Sequence, residues 1–154
     1  MVDGSRGRPG AAGAQPWYVR QITLPAADQA PGLARLATRE ALALYQMAHV
    51  AETALLLVSE LVTNSVRHAS TGVALRLEIT ETWLRIEVHD AEPRGPQLRT
   101  PGVLDESGFG LVIVDALATK WGVYETAAGK AVWAELLRAL SATWSGALAS
   151  GWTP

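Results

Sequence analysis

Three groups of residues in this sequence have types and spacings suited to chemistry. Glu60, Asn64 and His68 recur every four residues, so on a helix they form one stripe. The stripe borders an apolar face of Leu57, Leu61 and Val62. An amide oxygen is a hard ligand suited to Mg²⁺, which keeps most of its waters and leans on substrate phosphates. A carboxylate one turn away can orient or deprotonate a hydroxyl or a water. The plain alternative is the wet edge of an amphipathic helix. Asp90 comes next, where an alternating segment gives way to a long irregular one. It is either a turn residue or an acceptor for a ligand amine, such as the exocyclic amine of adenine. Third, Gly108-Phe-Gly110 stands just ahead of a helical pattern. Its backbone N–H groups can face an anion at the positive end of that helix, or it is simply a turn. Arg94 and Arg99 in the preceding loop can face phosphates or remain solvated.

Much other chemistry is excluded. There is no cysteine, hence no disulfide scaffold, thiol nucleophile or cysteine-based metal site. No G-x-x-x-x-G-K-[ST] run occurs, nor a G-x-G-x-x-G after a strand. His49, His68 and His89 lack metal-motif spacing, and no G-x-S-x-G elbow is present. Thirteen Lys and Arg against fifteen Asp and Glu give a net charge of −2. That balance carries no global attraction to nucleic acid, so no direct nucleic-acid partner is expected. No run approaches the ~18 apolar residues of a spanning helix, so no membrane partner is expected. Arg6 and Arg8 are followed by no apolar stretch, unlike a secretory signal. A cytoplasmic location is the expectation.

The elements that must position these residues follow from periodicity. At 154 residues, 49% hydrophobic, the chain suits one domain with one core. Residues 1–16, rich in Gly, Ala, Pro and Arg, read as a flexible tail. Residues 17–24 read as a strand closed by Pro25. From Ala30 to Ala48, Leu33, Leu36, Ala37, Ala41 and Leu44 recur at helical spacing, with Pro31 in the first turn. A second helix is predicted from His49 or Val50 to about His68. Its buried face is Leu55, Val58, Leu61, Val62, Ser65 and Val66. Residues 73–80 and 83–89 alternate as the strands of an antiparallel hairpin around Glu81-Thr82. Residues 91–108 form a long loop, of the kind that is often a lid. A third helix from Gly110 to Thr119 is expected to end by Gly122. Two strands, 121–126 and 131–137, are joined across Ala127 to Lys130. Residues 139–154 read as a tail. The order β, α, α, β, β, loop, α, β, β predicts an α+β fold: a mixed, mostly antiparallel sheet with helices on one face.

In this order the pieces resemble a known superfamily. Ser59-Glu-Leu-Val-Thr-Asn-Ser-Val-Arg-His-Ala is similar to the asparagine box of the GHKL (Bergerat-fold) ATPases. Asp90 stands where the first glycine box of that superfamily begins. Glu106-Ser-Gly-Phe-Gly-Leu-Val-Ile-Val looks like the second glycine box. The ending Trp121-Gly-Val and Gly129-Lys-Ala-Val-Trp-Ala-Glu-Leu is similar to the small, stand-alone actinobacterial branch grouped with anti-sigma-factor serine kinases. The resemblance covers about residues 17–138.

The resemblance implies a two-layer α/β sandwich that binds ATP and Mg²⁺ between the helices and the loop after Asp90. Asn64 would hold the Mg²⁺. Glu60 would be the base for a seryl or threonyl hydroxyl. Asp90 would take the adenine amine. The implied nucleotide contacts are Asn64, His68, Asp90, Arg94, Gly95, Gly108, Phe109, Gly110 and Leu111. Positioning and charge neutralisation would do most of the work. The implied partners are a sigma factor and an anti-anti-sigma antagonist, with a homodimer as the assembly. Departures from the family pattern are also present. Ala91-Glu-Pro-Arg-Gly95 lacks most glycines of the first box, and Pro93 stiffens it. Family members often carry threonine where this chain has Ala131, and that hydroxyl supports the adenine-binding aspartate. Two functions follow: a serine/threonine kinase acting on a protein antagonist, or a partner-binding module with little or no turnover.

Overall fold

The computed structural model describes residues 2–3, 15–69, 71–91 and 109–138. Their strands are β1 (Val2–Asp3), β2 (Tyr18–Leu24), β3 (Val73–Ile79), β4 (Trp83–Asp90), β5 (Lys120–Thr126) and β6 (Gly129–Leu137). The helices are α1 (Ala30–Leu44), α2 (Ala51–His68) and α3 (Phe109–Leu117), with a 3₁₀ turn at Ala48–Val50. The strands form one sheet in the order β1-β5-β6-β4-β3-β2. Five are antiparallel to their neighbours, and β1 lies parallel to β5 at the edge. This is the α+β sandwich expected from the element order. Among the described residues no helix is long and apolar enough to cross a membrane.

The core lies between the sheet and the helices. Leu75 and Leu77 of β3, Leu84, Ile86 and Val88 of β4, and Val132, Ala134 and Leu136 of β6 point into it. α2 meets them with Ala54, Leu57, Val58, Leu61 and Val62, all buried. Residues two apart share a strand face, so the alternating register makes one continuous apolar layer. The β3–β4 turn is set locally: the Thr80 hydroxyl accepts from the backbone N–H groups of Thr82 and Trp83, as side-chain turns do.

Several elements differ from the sequence reading. α1 stops at Leu44 rather than Ala48, because Gln46 takes a left-handed φ of 53°, which a right-handed helix cannot contain. Its inward face is Ala30, Ala34, Ala37, Thr38, Ala41 and Leu42. Leu33, Leu36 and Leu44 are exposed, because the neighbouring stripe of small residues is the one turned into the core. α3 ends before Gly122. The Thr119 N–H already donates to Glu135 O at 2.8 Å, and Gly122 sits inside β5 opposite Trp133. The β5–β6 link is only Ala127-Ala128, so Lys130 belongs to β6. Val2–Asp3 lies in the segment expected as a tail, where the open edge of β5 offers it backbone partners. The rest of 1–14, and 139–154, lie outside the described residues.

The opposite face of β4 and β6 is buried too. Arg85 lies 4.1 Å over the Trp133 ring and donates to Glu135 at 2.7 Å. The Tyr124 hydroxyl donates to Glu87 at 2.8 Å. Tyr124, Ala131 and Trp133 form a second apolar cluster there.

Two measurements check this account. Arg85→Ala removes the cation bonded to Glu135, and breaking such a buried pair costs about 3 kcal/mol, read by denaturant unfolding. Gly129 has a φ of 157°, and a Cβ there would overlap the backbone oxygen of Asp90 and come within 2.7 Å of Ala91 Cα. Gly129→Ala is therefore expected to cost more than about 1 kcal/mol, lowering Tm by at least about 2–4 °C.

Candidate functional site

α2 carries the Glu60–Asn64–His68 stripe. The helix has Glu52 in its first turn and Arg67 and His68 in its last, complementing its dipole at both ends. With its Leu and Val face locked in the core, Glu60 and Asn64 fall on the flank and are half-buried. His68 is the last helical residue and is exposed. Ser59, beside Glu60, is tied down. Its hydroxyl donates to Leu55 O at 2.7 Å and accepts from Arg35 of α1 at 3.1 Å.

The start of α3 packs against this flank. A Cβ on Gly110 would come within 2.9 Å of Glu60 Oε2. The absence of a side chain at 110 therefore lets the first turn of α3 rest against the Glu60 carboxylate. That turn has no acidic residue of its own, and a helix N-terminus favours negative charge. Leu111 turns its side chain into the core, where it is 4% exposed. Only its backbone is left for a ligand. Phe109 opens α3, and Arg94, Gly95 and Gly108 lie outside the described residues.

Asp90 ends β4 on the same face as Leu84, Ile86 and Val88, and its side chain is fully buried. Lys130 of β6 is its cross-strand partner. The Lys130 Nζ donates to Asp90 Oδ1 at 2.8 Å, with the lysine side chain also buried. This corrects the expectation placed on Ala131. Residue 131 pairs with His89 and packs with Tyr124 and Trp133 on the far face. No side chain at 131 can support Asp90; residue 130 is the one that faces it. Sequence reasoning missed Lys130 by assigning it to a turn. The available signal was parity: Lys130 is in step with Val132, Ala134 and Leu136. A cavity of about 410 Å³ opens at the strand ends, lined by Thr23, Val73, His89, Asp90, Ala91 and Thr126 among others.

The elements thus bring Glu60 to the first turn of α3 and place Asp90 at the sheet end. The family model of the histidine kinase-like ATPase domain matches residues 24–136, most of the chain. The chain belongs to the histidine kinase-like ATPase domain family. An uncharacterized protein of Streptomyces coelicolor, SCO4941, is 35% identical over 80 residues, which are 49% of this chain and 76% of that protein. The crystal structure of the RsbU and RsbW domains of Rv1364c from Mycobacterium tuberculosis has a similar fold, with a TM-score of 0.60 and 22% identity. The match covers 78% of this chain and 32% of that one, so this chain spans about a third of that longer protein. Among the three boxes read from the sequence, the asparagine box runs through the second half of α2, and the described part of the second glycine box, from Phe109 on, starts α3. Asp90, where the first glycine box begins, is the last residue of β4.

The contact between Glu60 and Gly110 can be measured. Gly110→Ala gains helix propensity, up to about 1 kcal/mol, and pushes the Glu60 carboxylate aside. The substitution should be better tolerated in a Glu60→Ala background. A double-mutant cycle on thermal unfolding is expected to give a coupling of about 0.5 kcal/mol or more.

Proposed function

We propose that this chain is an ATP-binding regulatory protein resembling the anti-sigma-factor serine/threonine kinases, with its ATP-binding domain over residues 17–138. The observation that carries this is the approach of Glu60 to the first turn of α3 at Gly110. It joins the asparagine box to the second glycine box, as a phosphate site between α2 and α3 requires. Membership of an ATPase domain family supports the nucleotide.

The donor set suits MgATP in part. Asn64 would offer its amide oxygen to Mg²⁺, which accepts hard oxygen ligands. The N–H groups of the first turn of α3 would face phosphate oxygens. Asp90 would accept the adenine amine. ATP supplies the phosphoryl group, and Mg²⁺ neutralises part of its charge. Glu60 would accept the proton of the attacking seryl or threonyl hydroxyl of a protein antagonist. The partners proposed are that antagonist and a sigma factor. The likeness in fold to a structure containing an RsbW domain supports a protein-binding role.

One observation favours a second reading, partner binding with little turnover: Asp90 is already ion-paired with Lys130. Calorimetry and phosphate transfer separate the two readings. Saturable MgATP binding by the wild type, weakened roughly tenfold or more (about 1.4 kcal/mol) in Asn64→Ala, supports the site. Glu60→Ala should then leave binding in place and slow transfer to an antagonist by roughly 10²–10⁴-fold. No transfer by the wild type, with partner binding that survives Glu60→Ala, is the result expected of the second reading.

A further inference from the structure

Asp90 and Lys130 face each other across β4 and β6, both on the helix-side face and both within a few percent of full burial. Nζ lies 2.8 Å from Oδ1. A carboxylate held this way has one oxygen committed to a charge-assisted bond, stronger than a neutral one. Gly129, next in the chain, lets β6 run so close to the Asp90–Ala91 backbone that any Cβ there would overlap it. Lys130 is thereby delivered to the carboxylate by the backbone itself. A lysine stem is long and flexible, so the ammonium can leave without moving the strand.

We propose that Lys130 is an internal occupant of the base-recognition slot: a latch that an incoming adenine must displace from Asp90. The inference rests on the nucleotide-binding role proposed above and adds to it a residue that sets affinity and base preference. An adenine exocyclic amine and the lysine ammonium are both donors to the same carboxylate. The Asp90 side chain, with no exposed surface beside Lys130, is reached by the amine only when the ammonium gives way. Displacement exchanges a charged donor for a neutral one, so the latch weakens binding and makes it depend on the amine. A base with a carbonyl at that position, such as hypoxanthine, presents an acceptor to Asp90 where adenine presents a donor. Once displaced, the ammonium reaches solvent.

The sequence favours a direct test, because Lys120 and Lys130 are its only lysines. Lys120 is exposed and Lys130 buried, so Lys120 is an internal control. Amine acylation read by mass spectrometry should modify Lys120 at once and spare Lys130 in the free protein. A saturating, non-hydrolysable ATP analogue with Mg²⁺ should raise Lys130 labelling severalfold and leave Lys120 unchanged. In calorimetry, Lys130→Thr should bind MgATP roughly ten- to hundredfold tighter than wild type, the size of one charged hydrogen bond. Its binding of inosine triphosphate should not improve. Because Lys130→Thr leaves Asp90 buried without its cation, a thermal melt first establishes that it folds. Lys130→Gln, which keeps a neutral donor, replaces it if it does not.

Wild-type protein that saturates with nucleotide while Lys130 stays protected overturns the latch and leaves the nucleotide site standing. So does a folded variant that binds ATP no tighter. If neither the wild type nor a folded variant binds nucleotide, the proposed ATP site falls and the latch falls with it.

Discussion

The antiparallel pairing of β4 with β6 runs from Trp83 opposite Leu137 to Asp90 opposite Lys130, and the rest of the molecule is arranged around it. These two strands lie in the middle of the sheet. One face of the pair supplies the apolar layer against α2. The register that aligns Ile86 with Ala134 and Val88 with Val132 must also bring Asp90 beside Lys130. Side chains two apart share a face, so an apolar stripe that ends in an acid meets one that begins with a base. The charged pair is the terminus of the core rather than an addition to its surface.

Burial on both sides gives these strands their electrostatic character. On the far face, Arg85 is held between Glu135 and the Trp133 ring. Glu87 accepts from Tyr124 beside it. Charges out of water must be matched by partners of good geometry, because the penalty for stranding one exceeds what most single contacts return. The two faces place such partners in different ways. Arg85 is wedged against an aromatic ring and a carboxylate, whereas Lys130 holds Asp90 at the tip of a flexible stem. The first is fixed by packing on both sides; the second is the one proposed to give way to another donor.

The other half of the site is a meeting of two helices. α2 is anchored by its Leu and Val face, which leaves Glu60 and Asn64 on its flank. α3 is anchored by Leu111 and Val114 and by the Trp121 indole, which donates to Asp115 at 2.8 Å. Both anchors are apolar or local. The close approach of Gly110 to Glu60 is where they converge, and it depends on the missing side chain at 110.

The helices and the hairpin were legible because periodicity and turn chemistry are local. Leu57, Leu61 and Val62 mark the inward face of α2, and Thr80 to Trp83 closes its own turn. The stripe of Glu60, Asn64 and His68 was legible for the same reason, since four-residue spacing and a helix are enough to align it. Burial on α1 was not, because hydropathy alone does not distinguish an inward stripe of alanines from an outward stripe of leucines. The order of the strands and the contact between α2 and α3 join residues far apart in the chain. So does the partner of Asp90, forty positions away, which no local pattern specifies. The sequence by itself determined which chemical groups were present and on which elements they sat. Only tertiary packing decided that Lys130, and not residue 131, faces Asp90, because strand parity acquires meaning only once the register of β4 against β6 is set.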